Sequence, residues 1–390
     1  MTQVVIIGCG VVGAAIAYEL SRVPGLKVAV LDRQPPAQAA TKAALGVLMG
    51  VISHKTKGRA WQLRQASLQR YETLIPELEA LTGHHIPFNR QGILMLCQEE
   101  EFESWEKLVA TRASQGLALE IWDAAKVKSY CPQVNCNPST WAIYSPQDRQ
   151  VEPVSLTLAL VEGAKHNGVK FYFGTQIEEY NFSSDASDTK GGLPGDRCIK
   201  QITISREPSR LDVDWLVVSA GLGSLPSLPD RTSPQIEFDI VPVLGQAIHL
   251  KLDRPLGNIN FQPVITGNDV HIVPLSGERQ NGGQQATEYW VGATVEFPTI
   301  GREIEAAPAL LDEVMQQAIA FCPDLATANI IKTWSGLRPR PEGRSAPIID
   351  RLSGFSNILL ATGHYRNGVL LAPATAQAIR KMILSSDEEW

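Results

Sequence analysis

Apolar positions along this chain alternate between runs, helical spacing and strand-like stretches, and the changes mark the elements. Val4 to Ile7 is a short, fully apolar, β-branched run, the pattern of a strand buried on both faces of a parallel sheet. From Val11 to Arg22 apolar residues recur at helical spacing, and Leu26 to Leu31 forms a second apolar strand closing on Asp32. Together they predict a βαβ unit. Ala60 to Leu81 reads as a long amphipathic helix, Gly92 to Cys97 as a strand, and Glu99 to Gln115 as a helix charged on its outer face. Between Pro132 and Pro153 the chain is polar and proline-rich, which predicts a crossing between domains. Val154 to Asn167 then reads as helix, with strands over Val169 to Gly174, Gln201 to Ser205 and Trp215 to Ser219. Ser183 to Arg197, rich in Ser, Asp and Gly, reads as an exposed hairpin loop. Val241 to Leu250, Val270 to Pro274 and Tyr289 to Val295 read as antiparallel strands, with a loop over Ser276 to Glu288. Ile358 to Ala361 is again a buried strand, followed by a glycine turn and a helix from about Pro373 to Leu384.

Three segments carry candidate chemistry. Gly8-Cys9-Gly10-Val11-Val12-Gly13 is a GxGxxG placed between strand and helix, with Asp32 ending the next strand. Gly8 makes the tight turn, Gly10 lets backbone approach a pyrophosphate, and Gly13 lets the helix pack on the sheet. The helix start offers unpaired N–H groups and partial positive charge to phosphates. Asp32 accepts from ribose hydroxyls, which favours an adenosine without a 2′-phosphate. The motif predicts a dinucleotide but leaves FAD and NAD both open. The second segment, WLVVSAGLGS over Trp215 to Ser224, is a strand ending in small residues. The third, LLATGHYRNGVLLAPAT over Leu359 to Thr375, is strand, glycine turn and helix. It brings a second helix start towards a cofactor, where its dipole stabilises negative charge on a reduced flavin.

Composition narrows the class. A chain of 390 residues exceeds what one core usually serves and predicts roughly two domains. Hydrophobic residues at 44% and charged residues at 19% describe an ordinary globular protein. The net charge of −6 argues against a nucleic-acid binder, which needs a basic field. Six scattered cysteines without a CxxC pair make zinc unexpected and read as free thiols. No apolar run approaches the roughly 20 residues that span a bilayer. The N-terminus enters a strand within three residues of Met1, without a basic leader, and the expected location is cytoplasmic.

The order of blocks VVIIGCGVVGAAIAYEL, TKAALGVL, VEPVSLTLALVEGAKHNGVKFYFGTQI, WLVVSAGLGS, WSGLRP and ATGHYRNGVLLAPAT resembles the glycine oxidase branch of the D-amino acid oxidase family over nearly the whole chain. The resemblance implies FAD held by Gly8, Gly10, Val11, Val12, Gly13, Asp32 and Arg33, and by the segment Thr41, Lys42, Ala43, Ala44, Gly46, Val47 and Leu48. It places Ile177, Ala220 and Gly221 near the adenine half. Gly363, His364, Tyr365, Arg366, Asn367, Gly368, Val369 and Leu370 come beside the flavin ring. Arg338 matches the arginine that clamps the substrate carboxylate, a role a planar guanidinium suits because it makes two parallel hydrogen bonds. Arg366 matches a second arginine near the site. Sarcosine oxidases tether FAD through a cysteine; none stands at a matching place here, which implies noncovalent FAD.

The chain departs from the family in places. Where glycine oxidases commonly place a substrate-holding tyrosine it has His271, which counts as a candidate active-site residue able to respond to pH. Lys42 replaces a family serine, and Val295 stands where a methionine is common. The expected fold is α/β, with a discontinuous Rossmann-type FAD-binding domain (1–85, 144–235, 332–390) and an inserted antiparallel-sheet substrate domain (86–143, 236–331). The expected reaction takes hydride from a small amino acid to flavin N5. It gives an imino acid, then an oxo acid and ammonia, and O2 is reduced to H2O2. The expected partners are that substrate and O2, with no metal, nucleic acid or membrane span and with homo-oligomerisation open. A flavin dehydrogenase passing electrons to a quinone or carrier, an NAD(P) oxidoreductase and a noncatalytic nucleotide-binding protein remain as alternatives.

Overall fold

A computed structural model describes residues 1–97, 101–183, 196–225, 228, 238–275, 286–298 and 304–384. The chain opens with strand β1 (Thr2–Ile7), helix α1 (Val11–Ser21) and strand β2 (Leu26–Asp32). In β1, Val4 and Ile6 enter one core while Val5 and Ile7 enter another on the opposite face of the sheet. That two-sided burial is why the run has no polar alternation. Each such side chain contributes about 1.5–3 kcal/mol. Helix α1 is apolar nearly all round because it too is enclosed, with Val11 and Gly13 through Leu20 buried. A short helix α2 (Ala40–Ala43) follows.

The second large sheet has eight strands. Five of them are β3 (Asp239–Lys251), β4 (Val264–Gly267), β5 (Val270–Leu275), β6 (Glu288–Gly292) and β7 (Asn329–Glu342). The order is β7-β3-β6-β5-β4, continuing through Ile93–Cys97, Trp141–Ser145 and Glu120–Asp123. Pairing is antiparallel except between β4 and Ile93–Cys97. Long helix Gly58–Thr82 leads into this part from the first sheet.

The chain returns through strand β8 (Ile358–Thr362) to helix α3 (Gly368–Leu384). The first sheet then reads Ile348–Arg351, β8, Trp215–Val218, β1, β2, Lys170–Phe173, parallel but for its antiparallel edge strand Ile348–Arg351. The expected α/β class with a Rossmann-type sheet and a second sheet is what the structure has.

One expectation gains detail and one is corrected. The stretch from Pro132 to Pro153 also holds strands Trp141–Ser145, in the second sheet, and Arg149–Val151. The C-terminal helix starts at Gly368 rather than near Pro373. Proline lacks the N–H that would bond the carbonyl four residues back. Here that carbonyl, Val369 O, accepts instead from the hydroxyl of Tyr71, a fully buried residue of the long helix. The loops read over 183–197 and 276–288 fall largely outside the described residues, at 184–195 and 276–285. No described helix is long and apolar enough to cross a membrane. All six cysteines are free.

Candidate active site

A single cavity of about 1250 Å³ runs from the start of α1 to the face of the second sheet. Ordinary small-molecule pockets hold roughly 300–1,000 Å³, so there is room for a dinucleotide with a substrate.

At one end lies the glycine turn. Gly8 has φ +99°, and a Cβ on Gly13 would meet Gly8 O at 1.9 Å. Only glycine at both positions brings the strand, turn and helix together. The first N–H groups of a helix have no partner four residues back. Val11 N–H donates to Thr41 Oγ1 at 3.0 Å, which leaves the following amides for an anion. Asp32 holds the turn from the other side: its Oδ2 accepts from Cys9 N at 2.6 Å and its Oδ1 from Gln34 N at 2.8 Å. Each carboxylate oxygen has a second acceptor site.

At the other end, the start of α3 faces the same cavity. Gly363 (φ +64°) and Tyr365 (φ +53°) turn the chain sharply there. His364 is buried, its Nε2 2.9 Å from Thr375 Oγ1, and burial holds its pKa down at about 4.

The second sheet supplies the far wall. Directly opposed residues form one line across it: Trp334, Ala247, Gly292, His271 and Thr266. Such cross-strand neighbours share a face, and the small residues in the middle make the hollow. Trp334 Nε1 donates to Ala43 O at 3.1 Å, and Gly336 lacks the Cβ that would strike Ala43. Helix α2 therefore seats directly on β7. Arg338, also on β7, lays its guanidinium over Gly245, where a Cβ would come within 2.2 Å of both Nη atoms. Its Nη1 donates to Leu244 O and Thr294 O, each at 3.1 Å. A guanidinium has five N–H donors, and among the described residues the remaining three have no partner. Burial lowers its pKa, Arg366 adds to this, and Tyr365, Glu296 and Asp269 oppose it. It stays charged.

Arg366 is arranged differently. Its two Nη atoms pair with Asp269, at 2.9 and 3.3 Å. Asp269 sits with Asn268 in the two-residue turn between β4 and β5, both at positive φ as a type I′ turn requires. The pairing with Arg366 lowers the Asp269 pKa, against burial.

A family profile described as DAO, FAD dependent oxidoreductase, matches residues 3–382. The chain belongs to this family. It is 26% identical over 386 residues to a glycine oxidase of Geobacillus kaustophilus strain HTA426, covering 98% of this chain and 92% of that one. It is 29% identical over 388 residues to a bifunctional protein ThiO/ThiG of Trichormus variabilis, covering 99% of this chain and 53% of the longer relative. A crystal structure of glycine oxidase from Bacillus cereus superposes with a TM-score of 0.80 at 24% identity, covering all of this chain and 96% of that chain. The chain is thus a glycine oxidase-like FAD-dependent oxidoreductase, and the resemblance expected from its motifs holds.

The cavity fits the family's cofactor. Glycine backbone, two helix starts and Asp32 present donors and an acceptor along one continuous channel. No cysteine is among the residues lining it, and Cys322 is fully buried in the core beneath the second sheet. Most residues expected to hold FAD line this space: Gly8, Gly10, Val11, Val12, Asp32 and Arg33 at one end, and Thr41 through Ala44, Gly46 and Val47 beside them. Ile177, Ala220, Gly221, Gly363 to Arg366, Gly368 and Val369 line it too, as do Arg338 and His271. Gly13, Leu48, Asn367 and Leu370 do not. Gly13 works in packing, and Leu48 and Leu370 belong to the core beneath. Thr41 grips the end of α1, and Lys42 reaches Gln38 Oε1 at 3.4 Å. Sequence reading missed Gly245, Ala247, Asp269, Trp290 and Trp334, which reach the cavity through sheet register.

Proposed function

We propose that this chain oxidises a small amino acid or amine, of the glycine, sarcosine or D-amino acid type. The imino product hydrolyses to an oxo acid and ammonia, or an amine, and O2 is reduced to H2O2. Bound FAD supplies a two-electron acceptor for hydride from the substrate's α-carbon and a route for those electrons to O2.

The observation that carries this reading is the partly engaged guanidinium of Arg338. Two backbone carbonyls fix it, while three donors remain for a carboxylate in the cavity next to the turn at Gly363. Arg366 has both Nη atoms committed to Asp269, so Arg338 is the arginine with the better fork to offer. A carboxylate held there fixes the α-carbon, and that orientation contributes to rate without a side-chain base. Trp290, Trp334 and Ala247 give the hollow an apolar wall that restricts water around the reacting carbon.

The test is an anaerobic screen in which purified holoprotein is mixed with glycine, sarcosine, D-amino acids and L-amino acids while the flavin's visible absorbance is followed. At least one should bleach the flavin, with prompt return of colour on admitting air. Bleaching by none of them would overturn the proposal, and bleaching without return of colour would replace O2 by another acceptor.

A further inference from the structure

His271 stands where the resemblance leads one to expect a tyrosine, and its contact with Thr266 bears on which of its nitrogens carries the proton. Thr266 Oγ1 lies 3.0 Å from Val270 O and 2.8 Å from His271 Nδ1. A carbonyl oxygen only accepts, so both contacts are hydrogen bonds at once only when the single hydroxyl proton of Thr266 points to Val270 O. The hydroxyl oxygen is then an acceptor towards His271, and the ring is the Nδ1–H tautomer. Its Nε2 carries a bare lone pair, and among the described residues that atom has no partner while the side chain lines the cavity.

Burial, with the charges around it, keeps the ring neutral. The groups that face it are Arg366 on the turn before α3, Asp269 in the β4–β5 turn, and Arg338 on β7. Burial, Arg366 and Arg338 hold the imidazole pKa down at about 4 against the opposing pull of Asp269. Nε2 is therefore an acceptor throughout the neutral range.

We propose that His271 Nε2 accepts a hydrogen bond from the substrate's amine, so that Arg338 and His271 grip the two polar ends of one amino acid. The guanidinium lies over Gly245 in β3 and His271 stands in β5, with β6 between them. Both groups line the same cavity, and the guanidinium is near enough for its charge to act on the ring. An amino acid held by its carboxylate at the guanidinium presents its amine into that shared space. The pair selects for a ligand that has both an α-carboxylate and an N–H, and a carboxylate without nitrogen engages only half of it.

This inference rests on the proposed amino acid oxidation, and its test separates the two. The ligands are the amino acid identified by the anaerobic screen and acetate, which has a carboxylate and no amine. Affinity for the amino acid comes from saturation of the anaerobic flavin reduction rate, and affinity for acetate from its perturbation of the flavin spectrum. In His271→Leu holoprotein the amino acid should bind about 10- to 100-fold more weakly, with acetate affinity and FAD content unchanged. His271→Gln, which keeps an acceptor oxygen close to the Nε2 position, should recover most of the loss. Nitrogen NMR of the histidine-labelled, substrate-free holoprotein should show a neutral Nδ1–H ring for His271 at neutral pH. Equal weakening of both ligands, unchanged amino acid binding in His271→Leu, or an Nε2–H ring would each overturn the assignment. Failure of acetate to bind the wild-type protein would instead strike the Arg338 clamp, and this inference with it.

Discussion

An alanine at Gly245 tests the carboxylate clamp without touching Arg338. The new methyl carbon would sit 2.2 Å from both Nη atoms and 2.4 Å from Cζ of Arg338. Non-bonded heavy atoms rest at about 3.5–4.0 Å, so the guanidinium must retreat by roughly 1.5 Å. The obstacle is the far end of a flexible side chain, so the arginine swings away and the strand stays in place. In moving, Nη1 gives up its bonds to Leu244 O and Thr294 O. Misplacing a bound substrate by about 1 Å costs on the order of 100-fold in rate, or about 2.7 kcal/mol of transition-state stabilisation. The assay compares wild-type protein and G245A for FAD content, thermal midpoint, acetate affinity and kcat/KM with the amino acid found by the screen. FAD content and midpoint should hold while acetate affinity and kcat/KM fall, the latter by about 100-fold. A variant with wild-type kcat/KM would show that the guanidinium's position over Gly245 is irrelevant to turnover and refute the reasoning.

Other consequences can be measured as directly. Asp32→Ala removes the acceptor at the glycine turn and should weaken FAD binding by about 10- to 100-fold, read by titrating apoprotein with FAD; normal affinity would detach Asp32 from the ribose. Tyr71→Phe leaves Val369 O buried without a donor, because Pro373 cannot supply one. It should cost about 1–3 kcal/mol, seen as a lower urea midpoint at constant slope. His271 and His364 are both held down at about 4 from the ordinary histidine value of 6.5. Between those values the unfolded chain binds protons that the folded chain refuses, so stability should fall as pH drops through that window and level off below it. Thermal midpoints across that range check this, and His364→Asn should flatten the slope.

The parts of this fold that were legible in the sequence are those whose cause is local. β1, the glycine turn, α1 and β2 follow from a two-sided apolar run, three glycines with separate tasks, and an acid at a strand end. The C-terminal glycine turn was readable for the same reason. What escaped depends on distant partners. The 14-residue strand β7, which includes Arg338, also contains Pro339 and Pro341, residues that argue against a central strand. It tolerates them as the edge of its sheet. Helix α3 runs through Pro373 because Tyr71, some 300 residues earlier by the separation of 298 positions, bonds the carbonyl that the proline leaves free. The hollow at Ala247 and Gly292, and the pairing of Asp269 with Arg366, arise from register between strands far apart in sequence. The resemblance set Arg338 apart as the clamp, and the fold adds that its donors are open while Arg366 is bound to an aspartate.

The measurement closest to the centre of the account is a crystal structure of the FAD-loaded protein with acetate. The flavin ring should lie beside Gly363 to Val369, the ribose on Asp32, and the acetate carboxylate across the open donors of Arg338. A ring lying away from that turn, or a carboxylate held by Arg366 after release of Asp269, would contradict it.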